Sequence, residues 1–206
     1  LIKGGPMASQ PTSRTTRTSS KKLVPTVIQA ATDLLENKGV QAVTIRAVAA
    51  QAHVSPASIY NHFGDKQGIL DAIAEQHFSV MVSRLREIAE QDPKTRLRQA
   101  GIVVRQLMLA TPQAYELMWV TRPGPAAHDA FTQLIHIVQY GQVAGVFIKD
   151  DPRKLAEAIW ASVQGAIFIE WQHQSAARSS SDHVTTLDDD AYNILLDVVI
   201  RGISRS

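Results

Sequence analysis

Residues 44–66 read TIRAVAAQAHVSPASIYNHFGDK, and three helix starts can be recognised inside this one short stretch. Thr44 precedes Ile45, Val48 and Ala49, apolar residues at helical spacing, and its hydroxyl suits an N-cap. Ser55 offers a second N-cap with Pro56 at the first helical position, where proline's missing N–H costs nothing. Ala52 and Val54 punctuate the interval between the two. Asp65 caps a third helix carrying Ile69, Leu70, Ile73, Phe78 and Val82. Two short capped helices a few residues apart describe a helix-turn-helix. The second of them is only about two turns long. Its spacing turns Ile59 and Phe63 inward and leaves Pro56, Ala57, Ser58, Asn61 and His62 on the outer face.

Upstream, Val24, Ile28, Ala31 and Leu35 repeat at helical spacing and Gly39 supplies a stop. Because proline is tolerated best in a first turn, Pro25 predicts that this helix begins close to Leu23. Residues 1–20 are rich in Ser, Thr, Gly and Pro and read as a disordered basic tail, with 1–6, ahead of Met7, as an expression remnant. Downstream, Pro93 and Pro112 read as helix starts and 122–125 as a break. Further helices are expected over about 127–146, 152–172 and from about 187 onward, with a Ser-rich loop at 175–181. Asp188, Asp189 and Asp190 sit where a helix N-terminus favours negative charge. No strand pattern of useful length occurs, so the fold class is all-α: an N-terminal three-helix domain over 21–67, then a larger helical domain over 68–206.

Composition narrows the function classes. Of the 206 residues 45% are apolar and 19% charged, as in globular proteins, and no apolar run approaches the roughly 18 residues of a membrane span. No secretory signal pattern opens the chain, and there is no cysteine, which excludes disulfides and thiolate chemistry. A cytoplasmic protein with no membrane partner is expected. The net charge of +2 is unevenly placed: residues 1–68 hold eight basic against three acidic side chains, +5, which leaves −3 for the remainder. A basic head on a mildly acidic body suits a polyanionic partner. The seven histidines are scattered and no Gly-rich phosphate loop is present, so no enzyme, metal site or cofactor is expected.

The stretch 44–66 resembles the DNA-binding signature of the TetR/AcrR family of transcription regulators through Thr44, Ala49, Val54, Ser55, Tyr60, His62, Phe63 and Lys66. The resemblance covers about residues 22–70. It implies a homodimer that binds palindromic double-stranded DNA, most often as a repressor, and is released by a small molecule. The DNA contacts it implies are Thr44, Arg46, Ser55, Pro56, Ala57, Ser58, Tyr60, Asn61, His62 and Lys66. Tyr60 and Lys66 would meet phosphates, Lys66 at a helix N-terminus where backbone N–H groups add positive potential. Arg46 would reach a guanine or a phosphate, against the alternative of a surface ion pair. Pro56 and Ala57 would read by apolar contact, and Asn61 would suit adenine. Arg14 and Arg17 would reach a minor groove.

Beyond about residue 90 the resemblance thins. Residues 159–170, IWASVQGAIFIE, are similar to a Trp-x-x-x-His-Gly helix found in part of the family, with Gln164 where His is usual. The resemblance implies a dimer interface on the last two long helices, with Gly165, Phe168, Leu195, Val198 and Val199 as candidates; the residues alone leave open that several are subunit core. A cavity for a small, largely apolar effector would be lined by Met108, Tyr115, Met118, Trp119, His128 and Phe131, although Met and aromatic residues at helical spacing also suit plain core. The alternative function is a helical protein–protein interaction module without sequence-specific DNA binding.

Overall fold

Prolines and short polar caps set the helix starts of the computed structural model, which describes residues 20–177 and 188–205. Nine α-helices and one short 3-10 turn make up the described residues: α1 Ser20–Lys38, the turn Val40–Ala42, α2 Ile45–Gln51, α3 Pro56–Phe63, α4 Lys66–Arg86, α5 Pro93–Ala110, α6 Pro112–Val120, α7 Pro125–Val143, α8 Pro152–Ala177 and α9 Asp189–Ile203. The all-α class is as expected. Five of the nine begin with proline at the first helical position, which is pre-set for helical φ and has no N–H to leave unpaired.

Several boundaries move. Helix α1 starts at Ser20 rather than near Leu23, so Pro25 lies in its second turn. The ring is exposed, and so close to the N-terminus it forfeits a single backbone bond. Helix α7 starts two residues before the span 127–146 and stops three residues short of its end, where Gly145 at φ 74° takes the left-handed conformation that ends it. Helix α8 continues past Gln172 to Ala177, so the first part of the expected Ser-rich loop is helical. Helix α9 begins at Asp189, with the Asp188 carboxylate accepting from Ala191 N at 2.8 Å. The expected tail with Arg14 and Arg17 and the rest of that loop lie outside the described residues.

Two apolar cores form, and α4 belongs to both. The head core joins Val27, Ala31 and Leu35 of α1, Val48 of α2 and Ile59 of α3 to Ile69, Leu70 and Ile73 of α4. It also takes Ala114 and Leu117 from α6, so the head core extends past residue 67. Farther along α4, Met81, Val82 and Leu85 enter the body core with α5, α7, α8 and α9. Burying each such side chain contributes on the order of 1.5–3 kcal/mol, enough to hold both ends of α4 firmly. An ionic clamp seats α9: Arg105 of α5 donates to both Glu170 oxygens at 2.7 and 2.9 Å and to Asp189 at 2.7 Å, and lies 4.8 Å from the Tyr192 ring centroid. Glu170 and His173 form a Glu-x-x-His pair on α8, but the Arg105 fork occupies both carboxylate oxygens. Among the described residues no helix is long and apolar enough to cross a membrane.

Candidate nucleic-acid interface and ligand cavity

Helix α2 is fixed by Thr44, whose hydroxyl accepts from Ala47 N at 3.2 Å. The turn that follows passes through His53 at φ 54°, a conformation that non-glycine residues adopt in only a few per cent of cases. Ser55 then caps α3: its hydroxyl accepts from Ser58 N at 3.1 Å and lies 2.8 Å from the Ser58 hydroxyl. Ile59 is fully buried and Phe63 half-buried, which rotates the other side of α3 outward. Pro56, Ala57, Asn61 and His62 are exposed, and Tyr60 is 55% exposed. Thr44 and Arg46 are exposed at the start of α2, while Ser58 is half-buried.

The exit from α3 is equally constrained. Gly64 turns the chain at φ 76°, and the Asp65 carboxylate accepts from Gly68 N at 2.9 Å to start α4. A Cβ at Gly68 would collide with the Phe63 carbonyl, so only glycine lets α3 and α4 approach this closely. Lys66, expected from the resemblance to meet a phosphate, also has a place in the fold. Its Nζ donates to the Val40 carbonyl at 2.7 Å and the side chain is half-buried, pinning the α1–α2 connection to the start of α4. An ammonium carries three donors, so that bond leaves two for a phosphate.

In the body, all six residues expected around an effector line one cavity of about 280 Å³. Met108, Tyr115, Met118 and Trp119 come from α5 and α6, His128 and Phe131 from α7. Phe78, Trp160 and Gln164 complete the wall from α4 and α8, and the sequence reading placed none of them there. Their contacts are distant in sequence: the Tyr115 hydroxyl donates to Gln164 Oε1 at 3.3 Å across 49 positions, and Phe131 meets Trp160 edge-to-face at 6.4 Å. Gln164, where the related helix carries His, is thus a buried polar group on the cavity wall. Burial pushes the Tyr115 phenol above its ordinary pKa, keeping it a neutral donor. Among the described residues no Asp, Glu, Lys or Arg lines the cavity.

Two carboxylates tie the cavity's helices to the head and to α4. Thr111 provides no side-chain cap for α6; instead Glu36 of α1 accepts from Ala114 N at 2.8 Å and from Gln113 N at 3.4 Å. Gly124 cannot cap α7, and Glu75 of α4 accepts from Ala126 N at 2.8 Å. The N-termini of the two helices that carry Tyr115, Met118, Trp119, His128 and Phe131 are therefore held by side chains of α1 and α4.

On the body, α8 and α9 present an exposed apolar strip, of which Phe168 meets the cavity residue Trp119 edge-to-face at 6.2 Å. A Cβ at Gly165 would meet nothing within 4 Å, and Phe168 and Val198 are 38% and 55% exposed. Leu195 and Val199 are half-buried against the body core. Ile169 and Ile194, at 44% and 61%, extend the exposed strip and were not among the expected residues.

The family model for bacterial regulatory proteins of the tetR family matches residues 27–73, the segment that folds into the capped helices described above. By this segment the chain resembles a TetR-type regulator. The class A tetracycline repressor of transposon 1721 from Escherichia coli is 35% identical over 126 residues, 60% of this chain, and the match spans 58% of that repressor's length. A structure from Rhodococcus sp. RHA1, a protein of unknown function, is similar over 89% of this chain and 96% of its own, with a TM-score of 0.73 and 26% identity. A single-residue TetR variant from Acinetobacter baumannii AYE, solved with minocycline, covers 86% of this chain and 94% of its own, with a TM-score of 0.65 and 27% identity. The chain thus shares its two-part helical architecture with these solved structures, not the segment 27–73 alone.

Proposed function

We propose that the protein is a ligand-responsive transcription repressor that binds palindromic double-stranded operator DNA as a homodimer and is released by a small, neutral, largely apolar molecule. The observation that carries this reading is the course of α4. Its first half contributes to the head core, Phe78 lies in the cavity wall, and Met81, Val82 and Leu85 lie in the body core. One helix, buried at both ends, therefore connects the cavity to the head that presents Pro56, Ala57, Tyr60, Asn61 and His62. Family resemblance supports Arg46 and Lys66 as further DNA contacts, and the strip of Gly165, Phe168 and Val198 as the dimer seam with Leu195 and Val199 behind it.

The cavity's chemistry supports the class of effector. Aromatic and methionine walls favour an apolar body, and the buried Gln164–Tyr115 pair rewards one polar group. A charged molecule would lose hydration with no ionic partner in return. Such an effector switches the protein only by binding the DNA-incompetent arrangement more tightly, for equal affinity shifts nothing. Linkage then requires DNA to weaken effector binding by the same factor that effector weakens DNA binding.

The test is to select DNA from a random pool with the full chain, measure salt-dependent affinity, and titrate neutral aromatic compounds with and without the selected DNA. An inverted repeat with half-sites about 34–36 Å apart and a ligand affinity lowered by DNA are expected. Uniform binding to all DNA, or none, would refute the repressor reading and favour a helical interaction module; equal ligand affinities would refute the effector.

A further inference from the structure

A second cavity, of about 430 Å³, lies between the head and the body, and nothing in the repressor reading uses it. Helix α1 forms one wall with Ile28 and Thr32, α4 forms the floor with His77 and Val80, and the end of α5 closes the other side with Leu107 and Thr111. Its walls are mostly apolar, and Val80 is 39% exposed. Among the described residues no Asp, Glu, Lys or Arg lines it. His77 places Nδ1 2.8 Å from the Ile73 carbonyl. A carbonyl only accepts, so Nδ1 carries a proton in this bond, and in the imidazole form of such a ring Nε2 is the acceptor.

We propose that this head–body cavity is a second small-molecule site, separate from the effector cavity, which takes a neutral amphiphile with an apolar body and one N–H or O–H donor. Neutrality follows from the absence of any charged side chain in the wall, since a buried ion needs a partner. The donor is matched to the His77 ring nitrogen that the Ile73 carbonyl leaves over. The two cavities share Met108, Tyr115 and Met118 as a common wall, and methionine side chains adapt to either occupant. An occupant here touches α1, α4, α5 and α6 at once. Thr32 lies one turn before Glu36, whose carboxylate holds the N-terminus of α6, so the occupant braces the same junction.

Site occupancy is independent of whether the protein represses transcription, so it can be tested without DNA. The probe is N-phenyl-1-naphthylamine, a neutral apolar amine with one N–H donor and environment-sensitive fluorescence, titrated into the full chain. Two sites per chain are expected. Ala127→Trp, which fills the effector cavity, should leave one; Val80→Trp should also leave one, but the other. Thr32→Trp fills the head–body cavity from its opposite wall and should repeat the Val80→Trp result, guarding against a fold defect in either variant. In Ala127→Trp with probe at ten times its dissociation constant, amide exchange over residues 112–120 should slow by about tenfold, as expected when opening requires the ligand to leave. A single site per chain that Ala127→Trp abolishes would overturn the proposal. So would wild-type stoichiometry in both Val80→Trp and Thr32→Trp.

Discussion

Replacing Glu36 with alanine removes the carboxylate that accepts from Ala114 N at 2.8 Å and Gln113 N at 3.4 Å, and leaves the first turn of α6 with no cap of its own. Only the shorter of the two contacts has full hydrogen-bond strength. Losing an N-cap typically costs about 1 kcal/mol, within a range of roughly 0.5–2. The favourable position of a negative charge at a helix N-terminus is included in that figure, because the same carboxylate supplies both. Ala114 and Leu117 remain buried in the head core, so α6 stays docked and the variant folds. For a chain of this size 1 kcal/mol lowers the melting temperature by about 2–4 °C. Glu36→Gln keeps an acceptor without the charge and should lose about half as much. Urea unfolding gives the stability, and hydrogen exchange of the Gln113 and Ala114 amides gives the local effect, about fivefold faster for 1 kcal/mol if opening is local. Unchanged stability together with unchanged exchange at both amides would refute the role given to Glu36. A further outcome separates coupling from stability: where effector and DNA oppose each other in the wild type, Glu36→Ala should shrink that opposition.

Lys66→Ala should destabilise the DNA-free protein by about 1.5–3 kcal/mol through the lost charged bond to Val40, and lower the salt slope of DNA binding by about one unit; a stability loss with an unchanged slope would assign Lys66 to the fold alone. Val198→Asp should give folded monomers by light scattering, because Val198 is 55% exposed within the subunit; an undiminished dimer would remove α9 from the seam. Stability should fall as pH rises above about 10, the ordinary phenol value, because burial raises the Tyr192 pKa in the fold and the neutral phenol is the form the fold binds. Tyr192→Phe should flatten the decline in urea midpoint between pH 9 and 11, and an identical slope would exclude Tyr192 as its source.

What could be read from the sequence was what is local. Thr44, Ser55 and Asp65 each bond an N–H three residues ahead, so the cap, the helix it starts and the face it exposes are all contained in one short window. The six cavity residues were also accessible, since Met and aromatic side chains at helical spacing in α5, α6 and α7 had to meet something apolar. Phe78, Trp160 and Gln164 were not, because their place depends on how α4 and α8 cross those helices. Lys66 shows the same limit from the other side. The resemblance implies a phosphate contact for it, and nothing in its neighbours points to its hydrogen bond with a carbonyl 26 residues away.

The caps of α6 and α7 carry this distinction furthest. Pro112 reads locally as a helix start and 122–125 as a break, yet neither Thr111 nor Gly124 caps the helix that follows it with a side chain. The missing acceptors come from Glu36 and Glu75, 78 and 51 residues from the amides they hold. A helix with its own cap keeps its N-terminus wherever the rest of the molecule goes; a helix capped from elsewhere keeps it only while the two elements stay in register. The two helices that bear most of the cavity wall are both of the second kind, and their caps sit on α1 and α4, the helices that carry the reading head. Any ligand that shifts α6 or α7 must therefore stretch a carboxylate contact to the head's side of the molecule. The opening of that contact, about 1 kcal/mol each by the usual worth of a cap, has the size of a typical coupling free energy between two sites.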